Sequence, residues 1–145
     1  MVKCILILNG PNLNMLGTRE PELYGEQTLD DIKNICNDRA SELGLTIDFR
    51  HSNAESELVD WIQEAPKNNA AIILNAGAYT HTSIAILDAL RLTGVPIVEV
   101  HLSNIFQRED YRHVSFVSKA AHGVICGFGS NGYELALDAT AKLIS

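Results

Sequence analysis

The sequence predicts an α/β protein built around a parallel sheet with helices on both faces. Five short apolar runs, most of them rich in β-branched residues, recur along the chain, and the segments between them carry apolar residues at helical spacing. The runs are Cys4–Leu8, Leu45–Phe49, Ala71–Leu74, Pro96–Val100 and Gly123–Cys126. Nearly continuous apolar strands that alternate with helices are typical of parallel sheets buried on both faces. Right-handed crossovers then favour a flavodoxin-like three-layer sandwich with strand order 2-1-3-4-5.

Helix boundary signals support the same architecture. Thr28, followed by Asp31 three residues later, predicts an N-terminal cap for the first helix, which Gly44 ends. The other three helices are expected to close near Pro66, to span about Ser83–Leu92, and to open at Ser130 or Asn131. No repeat or linker interrupts this pattern, so we expect one flavodoxin-like domain over residues 1–145.

The composition argues against several classes of partner. A net charge of −7 disfavours nucleic acid or an anionic membrane, since both require a basic face. No apolar run approaches the ~18 residues of a transmembrane helix and no leader opens the chain, so we expect a cytoplasmic protein. The three cysteines are widely spaced and form no ligand grouping, which predicts neither a disulfide framework nor a metal site. They are Cys4, Cys36 and Cys126.

Polar and mostly neutral side chains follow several of the predicted strands. They include Asn9, Asn12 and Asn14 after the first strand, Asn75 and His81 after the third, and His101, Ser103 and Asn104 after the fourth. Because the carboxyl ends of parallel strands meet at one edge of the sheet, we expect these side chains to lie together. Such a pocket suits a small polyhydroxylated ligand better than a phosphate-rich one.

A loop bounded by Gly17 and Gly25 carries Arg19 and Tyr24. We interpret this loop as a lid over the site and the two residues as a general base. A free tyrosine has a pKa near ~10, so a tyrosinate at neutral pH costs about 4 kcal/mol without help. A guanidinium within about 4–6 Å favours the anion.

A candidate proton donor lies on the fourth strand. Histidine is the usual donor near neutral pH, which points to His101. Glu99 lies two residues earlier on the same strand face and could orient the His101 ring.

Other functions of this fold match the residues less well. Gly127–Gly132 fits the dinucleotide pattern GxGxxG, but it follows the last strand instead of the first. A phosphoryl-accepting receiver needs carboxylates where Asn9 and Asn75 stand, and Pro11 removes a donor from a flavin phosphate loop. None of the five lysines follows a strand at the expected site, so a Schiff base has no obvious residue. The alternative is a non-catalytic flavodoxin-like binding module whose loop recognises a small anion or a partner.

Several long segments resemble type II 3-dehydroquinate dehydratases, also called type II 3-dehydroquinases. The segments are Leu8–Gly25, His51–Ile62, Leu74–Leu90, Val98–Ser115 and Gly123–Leu137. The resemblance implies a flavodoxin-like fold, a homododecamer arranged as a tetramer of trimers, no metal or organic cofactor, and a place in the shikimate pathway. It also implies an anti elimination of water from 3-dehydroquinate, through an enolate, to give 3-dehydroshikimate.

The resemblance further implies a role for each matching residue. Tyr24 would be the base and Arg19 its activator, Asn12 would stabilise the enolate through a water, and His101 backed by Glu99 would protonate the departing hydroxyl. Asn75, His81, Leu102, Ser103 and Arg112 would bind the substrate, and Asp88 would reach a neighbouring subunit's site. Ser56 and Ala76 depart from the family pattern, which commonly has glycine and proline there.

Overall fold

The predicted sheet and its strand order are confirmed. A computed structural model describes residues 1–18, 22 and 26–145 of the chain. The strands are β1 (Cys4–Asn9), β2 (Thr46–His51), β3 (Ala71–Asn75), β4 (Ile97–His101) and β5 (Gly123–Cys126). All neighbouring strands pair in parallel, in the order β2-β1-β3-β4-β5.

Among the described residues, four α-helices cover the sheet in two layers. They are α1 (Leu29–Glu42), α2 (Glu55–Asn68), α3 (Ile84–Thr93) and α4 (Asn131–Leu143). The side chains of β1 alternate between the layers: Ile5 and Ile7 belong to the core under α1 and α4, whereas Leu6 and Leu8 belong to the core under α2 and α3. Among the described residues, no helix has the length and apolar character needed to cross a membrane.

The predicted cap of the first helix is present. The backbone N–H of Asp31 donates to the Thr28 hydroxyl at 3.1 Å, and the N–H of Thr28 donates to the Asp31 carboxylate at 3.0 Å. These two bonds form a capping box, which satisfies two N–H groups near the start of the helix. Gly44 follows the helix with φ +73°, a left-handed conformation that glycine adopts without strain.

The second helix closes near Pro66, as expected, and its last residue is Asn68. Proline has no N–H, so the Ile62 carbonyl four residues earlier receives no helical bond from it. The hydroxyl of Thr93 donates to that carbonyl at 3.3 Å instead. A partner from the end of α3 thus helps the last turn of α2 to tolerate the proline.

Three strands end one residue later than their apolar runs. Asn9, Asn75 and His101 are the last residues of β1, β3 and β4 and do not follow them. Sheet pairing depends on backbone bonds, which continue after the apolar side chains stop. Asn9 and Asn75 are register partners, and the N–H of Gly10 donates to the Asn75 carbonyl at 2.8 Å.

Candidate active site

A pocket opens beyond the carboxyl ends of β1, β3 and β4. Its empty space is about 690 Å³, which includes space open to solvent. Its polar lining consists of Asn12, Asn75, His81, His101, Ser103, Arg108 and Arg112. Among the described residues that line the pocket, none carries a carboxylate. The lining is therefore neutral to positive, although the chain as a whole has a net charge of −7.

Asn12 enters the pocket from a backbone conformation that few side chains tolerate. Its φ is +70°, in the left-handed region where asparagine is one of the few common non-glycine residues. The Asn12 N–H donates to the side-chain oxygen of Asn53 at 2.9 Å, and the Asn53 carbonyl accepts from the Tyr79 hydroxyl at 2.8 Å. Asn53 therefore joins the loops that follow β1 and β3, and it helps to fix the strained residue.

His101 pairs with a wholly buried carboxylate. Its Nε2 lies 2.5 Å from Oε2 of Glu99, which has no solvent exposure. The hydroxyl of Ser115 donates to the same oxygen at 2.8 Å, and that of Ser118 donates to Oε1. Burial alone would raise the pKa of Glu99, but the bond and charge of His101, with the two hydroxyls, outweigh burial and lower it.

This pairing determines which nitrogen of His101 is left for a ligand. An ionised carboxylate only accepts hydrogen bonds, so the Nε2 that faces Glu99 carries a proton. Nδ1 is then the nitrogen available to the pocket, as an acceptor in the neutral ring and a donor in the protonated ring. His101 can therefore deliver a proton from Nδ1.

His81 provides a hydrogen-bond acceptor beside His101. The two imidazole rings stack with centroids 6.5 Å apart and an interplanar angle of 19°. Nδ1 of His81 lies 2.8 Å from the carbonyl of Val114, to which it donates. Burial lowers the pKa of His81, and this favours the neutral ring. The neutral ring with a protonated Nδ1 has its lone pair on Nε2, where it can accept from a hydroxyl.

Two guanidinium groups add positive charge to one side of the pocket. Nε of Arg112 donates to the Glu109 carboxylate at 2.8 Å, and Nε of Arg108 lies 3.8 Å from the same carboxylate. The Arg112 guanidinium also lies 5.2 Å from the centroid of the Tyr111 ring. The side chain of Arg108 is only 14% exposed and that of Arg112 only 19%, so the charges of both act on the pocket more than on bulk water.

Comparisons with known proteins match this chain to one family. Residues 3–141 match the family described as dehydroquinase class II. The 3-dehydroquinate dehydratase of Phenylobacterium zucineum is 57% identical over 143 residues, which cover 99% of each chain. That of Acidovorax ebreus is 53% identical over 147 residues, with 98% and 99% covered. The chain belongs to the class II dehydroquinase family.

Solved structures of the family have the same architecture. The type II dehydroquinase of Propionibacterium acnes aligns with a TM-score of 0.94 and 44% identity over 98% of each chain. The enzyme of Butyrivibrio crossotus aligns with the same TM-score and 40% identity over 96% of this chain and 97% of that one. The alignment with these class II dehydroquinase structures extends over nearly the full chain and confirms the predicted flavodoxin-like architecture.

Most of the predicted site residues of this dehydroquinase-family chain lie together. Asn12, Asn75, His81, His101, Leu102, Ser103 and Arg112 line the pocket, and Glu99 lies behind His101. Asp88 is exposed on α3 and does not line this pocket. Arg19 and Tyr24, the predicted activator and base, lie outside the described residues. In the described part of the chain, no cluster of three or more His, Cys, Asp or Glu side chains could hold a metal ion.

Sequence reasoning missed four residues around this dehydroquinase pocket. They are Arg108, Ser115, Ser118 and Tyr133, of which Arg108 lines the pocket and the others bind Glu99 or Asn75. Arg108 belongs to a charged segment that is typical of a solvated turn. Its position four residues before Arg112 was the signal that it could reach the same pocket. The two serines and the tyrosine had no local signal, because only tertiary packing joins them to the site.

Proposed function

We propose that this protein is a type II dehydroquinase that dehydrates 3-dehydroquinate to 3-dehydroshikimate in the shikimate pathway. One observation carries the proposal: a chain that matches the family over residues 3–141 has a buried Glu99–His101 pair at a pocket lined by arginines and amides. The substrate is a carboxylate that bears a ketone and several hydroxyls. A pocket with cationic and neutral polar groups, and with no described lining carboxylate, matches that chemistry.

The described residues supply complementary groups for binding. Arg112 and Arg108 would attract the substrate carboxylate, since guanidinium groups bind carboxylates with paired hydrogen bonds. Ser103 and Asn75 would donate to the substrate's oxygens, and Leu102 would contact the ring. His81 would accept a hydrogen bond from a substrate hydroxyl through Nε2.

The first chemical step would remove the proton beside the ketone. Tyr24, ionised with the help of Arg19, would take this proton and become a neutral phenol. The electron pair left on carbon would move onto the carbonyl oxygen and form an enolate. Asn12 would stabilise the oxygen through an ordered water, which is the role of a donor fixed before the reaction begins.

The second step would expel the hydroxyl on the far side of the ring. The enolate would re-form the ketone, the new carbon–carbon double bond would appear, and the carbon–oxygen bond would break. His101 would give its Nδ1 proton to the departing oxygen, so that water leaves. Because base and acid would act from opposite faces, the elimination would be anti.

The assembly we propose is a homododecamer built as a tetramer of trimers, with a single catalytic domain over residues 1–145 in each subunit and a cytoplasmic location. The position of Asp88 supports a role between subunits, because the residue is exposed on α3 and does not line the pocket of its own subunit. It would reach the site of a neighbouring subunit.

The test is formation of the conjugated enone, followed by its ultraviolet absorbance after 3-dehydroquinate is added to purified protein. Tyr24→Phe should reduce kcat by about 10²–10⁴-fold, the usual contribution of a general base. Tyr111→Phe is the matched control, since Tyr111 is 66% exposed and should retain full activity without its hydroxyl. Folded wild-type protein that forms no enone would favour the binding module, and an undiminished Tyr24→Phe would eliminate the proposed base.

A further inference from the structure

We propose that Tyr133 is a positioning residue that sets the direction in which the side-chain amide of Asn75 meets the ligand. The proposal rests on the function above, in which Asn75 binds substrate. Tyr133 does not line the pocket, and it lies in the first turn of α4, behind the end of the sheet. It would act on the reaction only through Asn75.

A chain of side-chain hydrogen bonds joins β2, β1, α4 and β3 at this point. The hydroxyl of Tyr133 donates to Oδ1 of Asn9 at 2.7 Å and accepts from Nδ2 of Asn75 at 3.0 Å. Nδ2 of Asn9 donates to the carbonyl of Arg50 at 3.0 Å. At the other end, the N–H of Gly77 donates to Oδ1 of Asn75 at 3.3 Å.

Both ends of this chain dictate the same direction. A backbone carbonyl can only accept, so Asn9 turns its nitrogen to Arg50 and its oxygen to Tyr133. The Tyr133 hydroxyl must then donate its single proton to Asn9, and its oxygen can only accept from Asn75. The N–H of Gly77 can only donate, so it requires the Asn75 oxygen on its own side. A flipped Asn75 amide would oppose a donor to a donor at Gly77 and lose its acceptor at Tyr133.

This arrangement determines which side-chain group of Asn75 faces the pocket. Asn75 is 4% exposed and lines the pocket, whereas Asn9 and Tyr133 are fully buried. One of the two Nδ2 protons is used by Tyr133, and no described residue accepts the other. The network therefore presents an N–H donor to the ligand, as an anionic or hydroxyl oxygen requires.

The local packing brings the phenol to this point. A Cβ on Gly132 would lie 3.3 Å from Val100 Cγ2 and 3.6 Å from Ile125 Cγ2, so α4 begins in close contact with β4 and β5. The Tyr133 ring packs 6.5 Å from the ring of Phe49, between centroids. A phenylalanine would satisfy this apolar packing equally well, and the hydroxyl is the atom that serves the two amides. Burial raises the pKa of Tyr133, so the phenol keeps its proton and the chain keeps its direction across the assay range.

The test is a double-mutant cycle of Tyr133→Phe and Asn75→Ala, measured as kcat and KM with 3-dehydroquinate. Tyr133→Phe should lower kcat/KM by about 10–100-fold, the loss expected when a binding group moves out of place. In the Asn75→Ala background the same change should have less than about a twofold effect, because its target is gone. The pH profile of Tyr133→Phe should match that of wild type, since the phenol exchanges no proton with the substrate.

Thr140→Val is the matched control for lost stability. Thr140 is also fully buried on α4, and its hydroxyl donates only to the Ala136 carbonyl of the same helix, at 2.7 Å. This variant should melt earlier yet retain kcat/KM. If Tyr133→Phe does not fold, 4-aminophenylalanine at position 133 replaces it, because its amine still donates to Asn9 but accepts poorly from Asn75. The same loss of kcat/KM is expected there.

Multiplicative effects of the two substitutions would overturn the proposal, and so would an unaltered kcat/KM in folded Tyr133→Phe. A crystal structure of Tyr133→Phe gives a readout that does not depend on activity, with a rotated Asn75 side chain expected. If wild-type protein makes no enone and Asn75 still rotates in that structure, the proposed function fails and the positioning role stands. If the wild type is active and Asn75 keeps its geometry in the Tyr133→Phe structure, the proposed function stands and the positioning role fails.

Discussion

Replacement of Glu99 by glutamine is the sharpest test of the acid half of the site. Glutamine has nearly the same shape, so its oxygen can take the position of Oε2 and accept from His101 and Ser115. Its amide nitrogen then faces Ser118, whose hydroxyl can turn to accept. The packing and the number of hydrogen bonds are kept, while the negative charge beside the ring is lost. We therefore expect Glu99→Gln to fold and to fail in catalysis.

The expected size of the effect follows from the geometry. With Nε2 and Oε2 2.5 Å apart, the centres of charge of the imidazolium and the carboxylate are about 4 Å apart, which at an effective dielectric constant of about 20 corresponds to about 4 kcal/mol. The neutral amide still accepts a hydrogen bond from the protonated ring and recovers part of this. A net loss of about 2–4 kcal/mol remains, which lowers kcat by about 30- to 1,000-fold at 1.36 kcal/mol per tenfold.

The assay is steady-state enone formation, with Asp138→Asn as the control. Asp138 is another carboxylate in an ion pair, with Arg39 at 2.6 Å, but it does not line the pocket, and we expect its amide variant to retain wild-type kcat. The loss in Glu99→Gln should appear mainly in kcat, because the substitution leaves the residues that line the pocket unchanged and alters only the group behind the proton donor. A folded Glu99→Gln within threefold of wild type would refute the reasoning.

The same carboxylate makes a pH-dependent contribution to stability. Folding lowers the pKa of Glu99, so its contribution to the free energy of unfolding is present above its ordinary pKa of about 4.3. It is lost as the pH falls through the lower value of the folded state. Glu99→Gln has no proton to bind, so denaturant unfolding between about pH 5 and pH 3 should show a shallower acid decline than in wild type. An identical decline would show that Glu99 carries no such linkage.

Two further predictions concern residues that hold the site together. Ser118→Ala removes one of the hydroxyls on the Glu99 carboxylate, which should raise the pKa of Glu99 and lower kcat by about tenfold; unchanged kcat would assign that hydroxyl a purely structural role. Gly10→Ala would place a Cβ 2.3 Å from the Ala76 carbonyl oxygen, so the exits of β1 and β3 must separate. We expect a loss of about 1–3 kcal/mol in urea unfolding and a higher KM, and wild-type stability would contradict the close approach.

The fold could be predicted from the sequence because its signals are local. Each strand is an apolar run, the cap of α1 is contained within four residues, and crossover handedness leaves few strand orders. A tertiary partner modifies one of these local signals. Pro66 marks a helix end by its own chemistry, and α2 ends close to it, with Thr93 supplying the donor that the proline lacks. No sequence pattern links these two residues, which lie 27 positions apart.

The site could be predicted only in part, and for the same reason. Residues at strand ends can be assigned to one edge once the topology is known, so the sequence alone places Asn75 and His101 together. The contact between Glu99 and His101 follows from period-two alternation within one strand. Ser118 and Tyr133 could not be found, because they come from other elements and act behind the pocket. Sequence reasoning therefore finds the groups that face a ligand sooner than those that orient them.

Orientation matters in this pocket because so few of its described groups are charged. An ion pair attracts from any direction, whereas an amide or a neutral imidazole presents a donor on one side and an acceptor on the other. A flipped Asn75 or a wrong tautomer of His101 would repel the ligand without any change of position. The backbone N–H of Gly77 fixes one end of the Asn75 amide, and the buried Glu99 carboxylate fixes one end of the His101 ring. The selectivity of a mostly uncharged site thus depends on buried partners that each present a donor or an acceptor in a fixed direction.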